Sequence, residues 1–326
     1  MNIGEILETA PNAEIYDAYA KLYNKVTRFT KPMCAVSGGS DSDIMLHMCA
    51  SVDDKGKIRY VFFDTGLEFQ ATKDHISELE KRYDITIERH RAKQPVPYCT
   101  KRYGVPFLSK RVSDYMERLQ AHGFQWEDED FDTLYERYPK CKAALRWWCN
   151  NFGDGSHFNI DQNKWLKEFI VQNPPTFKVS NKCCTYAKKA TAHECIAESD
   201  ADLNLVGVRK SEGGARATAY KSCFSPEDGN HIAEFRPIFW FKNETKDAFK
   251  RTYGIQNSDC YEVWGLKRTG CSGCPFAKDI EAEINAVKTH EPKLYKALMN
   301  VFGESYAYTK AYREFQKQMN ERGVDK

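Results

Sequence analysis

The sequence predicts an α/β fold: a parallel sheet covered by helices on both faces. Three observations carry this. Short apolar runs at Met33–Val36, Ile58–Phe63 and Ile85–Glu88 alternate with segments of helical periodicity. Each run ends in turn-forming residues, Ser37-Gly38-Gly39 after the first and Asp64-Thr65-Gly66 after the second. The resulting β-α-β-α-β order requires crossover helices, and these place neighbouring strands parallel.

The first strand is preceded by one or two helices, with apolar residues at Ile6, Leu7, Ile15, Tyr16, Leu22, Tyr23 and Val26. Ile44 to Met48 begins the helix after the glycine turn, and Thr72 to Tyr83 forms the next. Leu203 to Val208 reads as a further strand. Between 110 and 178 the character changes to acidic and aromatic stretches such as WEDEDFDTLYERY and RWWCNNFGDGSHFN. This region is expected to be an inserted helical subdomain. The organisation expected is therefore N-terminal helices over 1–30, a core domain over 31–109 and 179–278, the insertion over 110–178, and C-terminal helices over 279–326. Tyr306, Tyr308, Tyr312 and Phe315 are available to dock the last of these.

Composition narrows the function classes. The chain has 326 residues, 41% of them hydrophobic, with 19 Phe, 18 Tyr and 6 Trp, which excludes wholesale disorder. The net charge of +2 does not announce a nucleic-acid partner in bulk, although a local basic groove is compatible with it. A mean hydropathy of −0.66 argues against a membrane span. The charged N-terminal stretch lacks the apolar core of a signal peptide, so a cytoplasmic location is expected. In that compartment 12 cysteines point to metal binding, catalysis or core packing rather than disulfides.

Ser37-Gly38-Gly39-Ser40-Asp41-Ser42 is the most informative segment. Paired glycines after a strand allow a sharp bend with backbone N–H groups turned into one concavity. The helix that follows adds its positive N-terminal end. Ser37, Ser40 and Ser42 add hydroxyls, so the guest that fits is a phosphate or pyrophosphate. Asp41 would repel that guest unless it holds Mg²⁺ or caps the helix. An ordinary glycine turn with a Ser or Asp cap is the plainer reading of the same residues. Asp64 sits at the carboxyl end of the next strand, where open α/β sheets place ligands. Arg209 and Arg216 are candidates for phosphate, because guanidinium forks match that anion; Lys182 and Arg268 are further ones.

SGGSDS resembles the PP-loop of the N-type ATP pyrophosphatases and adenylating enzymes. Val61 to Phe69 resembles the strand end of the phosphoadenosine phosphosulfate (PAPS) reductase branch of that superfamily, as do Gly207 to Ala217 and Arg236 to Trp240. The resemblance covers most of 31–278 and implies a Rossmann-like adenine-nucleotide fold. It implies nucleotide binding by Ser37 to Ser42, Asp64, Thr65, Gly66, Arg209 and Arg216, with Asp41 and Asp64 as the catalytic carboxylates.

The tandem Cys183-Cys184 and the knuckle Cys271-Ser272-Gly273-Cys274 are separated by 86 residues. A CxxC knuckle aims two thiolates at one metal, and a tandem pair suits a larger cluster. The combination resembles the [4Fe-4S] signature of assimilatory adenylylsulfate (APS) reductases, with zinc as the second choice. Cys223 and Cys260 are alternate ligands.

Two departures from the reductases shape the functional expectation. No cysteine follows Cys274, where those enzymes carry a nucleophile near the C-terminus, and the loop is the complete SGGxDS type. Both point to an ATP-cleaving member, DndC-like or thiolase-like. Such an enzyme forms an adenylated intermediate for sulfur transfer to a nucleic-acid or small-molecule acceptor, with a sulfur- or electron-donor protein as partner. The alternatives are an APS or PAPS reductase using Cys99, Cys141 or Cys149 as a relocated nucleophile, and a non-enzymatic nucleotide or cluster sensor. Trp147-Trp148 is read as core rather than as a base-stacking platform, and no histidine is assigned a role.

Overall fold

The computed structural model describes residues 3–213, 219–229 and 231–324. It divides into two compact units. The first comprises Met1–Lys93 and Lys188–Ser272, the second Gln94–Ala187 and Gly273–Lys326.

The first unit is built on a six-stranded sheet in the order β3-β2-β1-β4-β6-β5. Its strands are β1 (Pro32–Val36), β2 (Arg59–Asp64), β3 (Ile87–Arg91), β4 (Leu203–Leu205), β5 (Phe224–Ser225) and β6 (Ala233–Phe235). The first four and β6 run parallel, and β5 closes one edge antiparallel to β6. The chain steps outward from β1 to β2 and β3, then returns to the other side of β1 with β4. This reversal is a topological switch point, the place where ligands settle at the carboxyl ends of open α/β sheets.

Two helices precede β1, α1 (Ile3–Glu8) and α2 (Ala13–Arg28), and two connect the first three strands, α3 (Ser40–Val52) and α4 (Gln70–Tyr83). Asn12 caps α2, its side chain accepting from the Ile15 N–H at 3.0 Å. Ile15, Tyr19, Leu22 and Val26 of α2 join Ile44, Leu46 and Met48 of α3 and Leu203, Leu205 and Phe235 of the sheet in one core. Met33 and Val61 project to the other face and pack with Cys195 and Ala201.

The first two strands lie within one residue of the predicted bounds, and the third and fourth depart further. The third strand begins at Ile87 rather than Ile85, because Asp84 ends α4 in the left-handed region at φ +51°. Both Asp84 and Ile85 then give their N–H to Glu80 O, so Ile85 still belongs to the helix end. β4 stops at Leu205, where the chain leaves the sheet and the Val208 N–H turns back to Val206 O. The short strands β5 and β6 carry too few alternating positions to be read from sequence.

The second unit is helical: α5 (Val96–Tyr103), α6 (Lys110–Ala121), α7 (Phe131–Arg137), α8 (Lys142–Trp148) and α9 (Leu166–Gln172), then α13 (Ile280–His290) and α14 (Pro292–Val324). Trp147 and Trp148 are fully buried, and the Trp148 indole donates to Glu127 O at 2.8 Å. They are core, as the sequence reading has it. Tyr308, Tyr312 and Phe315 dock α14 against Phe169, with ring centroids 4.9, 5.4 and 5.6 Å away.

Candidate functional site

The loop between β1 and α3 sits at the switch point. Gly38 has φ +65°, and a Cβ there would lie 2.9 Å from Thr72 Cγ2 of α4, so both backbone angle and space call for glycine. Two of the loop's amides are held by hydroxyls. Ser37 N–H donates to Ser42 Oγ at 2.8 Å, which turns Ser42 inward as a brace of the loop. Ser40 N–H meets Tyr261 OH at 3.4 Å. Tyr261, on the short helix α12 (Asp259–Glu262), also accepts from Thr269 N–H at 3.0 Å and lies 3.1 Å from Thr269 Oγ1. An oxygen held between two backbone amides at a helix N-terminus has the surroundings a phosphate oxygen would have.

Across the switch point, the chain leaving β4 approaches the first turn of α3. A Cβ on Gly207 would lie 3.2 Å from Asp41 O and 3.3 Å from Ser42 Cα. Arg209 follows, and its Nε donates to Asp41 Oδ2 at 2.9 Å. Lys246, from α11 (Asn243–Tyr253), places Nζ 2.6 Å from Asp41 Oδ1. Asp41 is thus the anionic centre of two cations beside the loop.

At the end of β2 the Asp64 carboxylate accepts from Gly66 N–H at 2.8 Å and lies 3.4 Å from Lys73 Nζ. Thr65 is buried, and its hydroxyl donates to Glu68 Oε1 at 2.5 Å and lies 3.3 Å from Cys271 Sγ. Burial pushes the Glu68 carboxyl up, and the Thr65 bond and the Lys188 charge work against that shift.

Comparison with known proteins meets this geometry at the loop: residues 31–122 match the phosphoadenosine phosphosulfate reductase domain. The similarity to that domain covers the segment that carries β1, the loop, β2 and β3. The uncharacterized protein MJ0066 of Methanocaldococcus jannaschii is 25% identical over 302 residues, which are 90% of this chain and 47% of the relative. The chain therefore spans about half the length of the curated relative it matches. Among solved structures, PAPS reductase from Candida auris in a phosphate complex has a TM-score of 0.44 at 16% identity, covering 78% of this chain and 87% of that one. The U34-tRNA thiolase NcsA from Methanococcus maripaludis, with its [4Fe-4S] cluster, has 0.37 at 11%, covering 92% and 79%.

Several residues around the loop carry no sequence signal. Asp43, next to the loop, is fully buried and its Oδ2 lies 2.9 Å from His75 Nε2. Burial alone would lower the His75 pKa, but the hydrogen bond and charge of Asp43 outweigh it and raise it. A raised imidazole pKa stabilises the fold fully below the unfolded value of about 6.5, and that contribution fades as pH rises through the folded value. Burial also raises the Asp43 carboxyl, so removing His75 would leave a buried carboxyl with a pH dependence of its own. The wild-type imidazole, followed by NMR through a pH titration, should therefore give up its proton above the free-histidine value of about 6.5, and titration at or below that value would contradict the pairing.

The cysteines divide between the units. Cys271 belongs to the first; Cys183, Cys184 and Cys274 belong to the second. In the first unit, Ser272 N–H and Oγ both reach Leu67 O at 2.8 Å. In the second, Gly273 has φ +59°, which favours glycine, and a Cβ there would lie 2.5 Å from both Leu298 Cδ1 and Tyr306 OH, so those side-chain ends would have to move. Cys184 opens a wide π-helical turn, Cys184–Ala190. Among the described residues, no group of three or more His, Cys, Asp or Glu side chains is placed to hold a metal ion. Of the alternate ligands, Cys260 is buried with Sγ 3.9 Å from Thr72 Oγ1, and Cys223 packs against the sheet core.

The relocated-nucleophile candidates lie in the second unit and lack the marks of activated thiols. Cys99 and Cys141 are buried, and burial pushes both thiols up. Burial pushes the Cys149 thiol up to about 11. Of the remaining basic candidates, Lys182 pairs with Glu117, Arg268 is exposed, and Arg216 lies outside the described residues. A pocket of about 770 Å³ lies elsewhere in the first unit, lined by Asn204, Glu234, His193, His231 and Tyr220.

Proposed function

We propose that the PP-loop domain binds MgATP and cleaves it to pyrophosphate and an adenylated intermediate that serves sulfur transfer. The observation that carries this is the complete SGGSDS loop at the switch point, with Asp41 held among cations beside it. A substrate oxygen attacks the α-phosphorus, the bond from that phosphorus to the α,β-bridging oxygen breaks, and pyrophosphate leaves with its β,γ-bridge intact. A sulfur nucleophile then displaces AMP. The chain's part is positioning and charge neutralisation. The amides of Ser37 to Ser42 and the N-terminus of α3 face the β,γ-phosphates, while Arg209 and Arg216 add cationic charge. Asp64, Thr65 and Gly66 line the nucleotide side. A single carboxylate beside phosphate oxygens is a donor set that suits Mg²⁺, which would neutralise the departing pyrophosphate; Asp41 is that carboxylate.

The sulfur acceptor is a nucleic acid or a small molecule, and the donor of sulfur or electrons is a further protein. Among the described residues no helix is long and apolar enough to cross a membrane, and the thiol-rich composition favours the cytoplasm. A [4Fe-4S] cluster on Cys183, Cys184, Cys271 and Cys274 belongs to the same proposal. The thiolate donor set suits it in kind, with zinc the second choice, but the described geometry does not gather that set, so no step above runs through it.

The test is a binding titration on anaerobically purified protein, with MgATP against APS and PAPS. Preference for MgATP of at least about tenfold is expected, or 1.4 kcal/mol. Preference for a sulfonucleotide would overturn the ATP reading and return the reductase alternative.

A further inference from the structure

Two cations contact Asp41, and they are held in different ways. Arg209 is tied on several sides: Nε to Asp41 at 2.9 Å, and Nη1 to Ser211 Oγ at 2.9 Å, Asn243 Oδ1 at 3.1 Å and Phe241 O at 3.3 Å. Its side chain is 7% exposed. To follow a ligand it would have to break contacts to three other residues. Among the described residues Lys246 makes one ion pair, to Asp41 Oδ1 at 2.6 Å, and feels the buried Asp43 only at longer range; its four-carbon stem lets the ammonium re-aim by rotation.

The three groups together carry one excess positive charge in a largely buried place, since the Asp41 and Lys246 side chains are 14% and 17% exposed. Charge pairing is strong where water is scarce, so an arriving polyphosphate competes with the Asp41 carboxylate for the cation that can move. We propose that Lys246 is this cation: it passes from Asp41 to a phosphate of the ligand when the loop fills, and frees Asp41 for the divalent ion. Arg209 stays in place as the tie between the β4 exit and α3. The inference rests on the phosphate-loop reading above and assigns a binding residue that no sequence motif marks. It also sets a specificity. Ligands that reach the loop with β- and γ-phosphates depend on Lys246, and a monophosphate does not.

The experiment is calorimetric titration of wild type, Lys246→Met and Lys246→Arg with MgATP, magnesium pyrophosphate and AMP. Thermal melts of each variant confirm folding. In Lys246→Met, the dissociation constants for MgATP and pyrophosphate should rise about tenfold or more, while that for AMP stays within about twofold. Lys246→Arg should recover part of the loss, because it restores the charge but not the compact, rotatable head. Equal weakening of all three ligands, or none, would overturn the assignment. A wild type that binds neither MgATP nor pyrophosphate would instead overturn the phosphate-loop reading itself. In that case the variants would be uninformative about Lys246, so the wild-type titration comes first and separates the two failures.

Discussion

Asp41→Asn should abolish ATP-dependent pyrophosphate release, with a loss of at least about 100-fold, while the chain stays folded. Two consequences of one change separate in this variant. The amide still accepts a hydrogen bond from Arg209 but brings no charge to set against Arg209 and Lys246, which lie 2.9 and 2.6 Å from the carboxylate. Leaving two mostly buried cations without their anion should cost about 1–3 kcal/mol of stability, visible as a lower melting temperature. It also replaces the anionic oxygen ligand proposed for the divalent ion beside the phosphates with a weaker, neutral one. Retained activity in a folded Asp41→Asn protein would remove Asp41 from the mechanism and leave it a structural anchor for α3.

On the proposed cluster, anaerobically purified wild type should carry about four iron atoms per chain, and Cys271→Ser should carry less than one. Serine keeps the size of the side chain and its contact with Thr65 Oγ1, now 3.3 Å from the sulfur, but it removes the thiolate a cluster requires. Cys195→Ser is the control, because Cys195 is buried in the apolar layer beneath the sheet with Met33 and Val61 and should leave iron unchanged. Full iron in Cys271→Ser would refute this ligand. Zinc in place of iron in the wild type would move the site to the second choice.

What was legible in the sequence follows from how local each signal is. The β1-loop-α3 unit is read from one stretch of residues, because a strand, a paired glycine and a helix leave adjacent marks. The burial of Trp147 and Trp148 bears out the reading of that aromatic, turn-rich stretch as core rather than as a base-stacking platform. Lys246 is far from the loop in the chain, and its charge looks like any other on an amphipathic helix. Only the sheet order, which sets β4 beside β1 and β6 beyond it, brings α11 to Asp41. His75 is one of 8 histidines without metal spacing, and its pairing with Asp43 arises from α4 packing beside α3. Tyr261 and Thr269 are hidden for the same reason, because the turn that carries them reaches the loop only in three dimensions. Asp64 shows the limit of reading by position. The strand end was legible, but the turn that ties its carboxylate to Gly66 N–H was not.

The measurement that tests the central claim most directly is hydrogen exchange of the backbone amides with and without MgATP. The account predicts slower exchange in the peptide spanning Val36 to Ile44 and in the turn at Thr269. The ligand's phosphates should be held by those N–H groups, and protection should follow the ligand concentration. Binding without protection there, or protection confined to the peptides around Asn204 and Glu234, would contradict it and place the nucleotide in the other pocket.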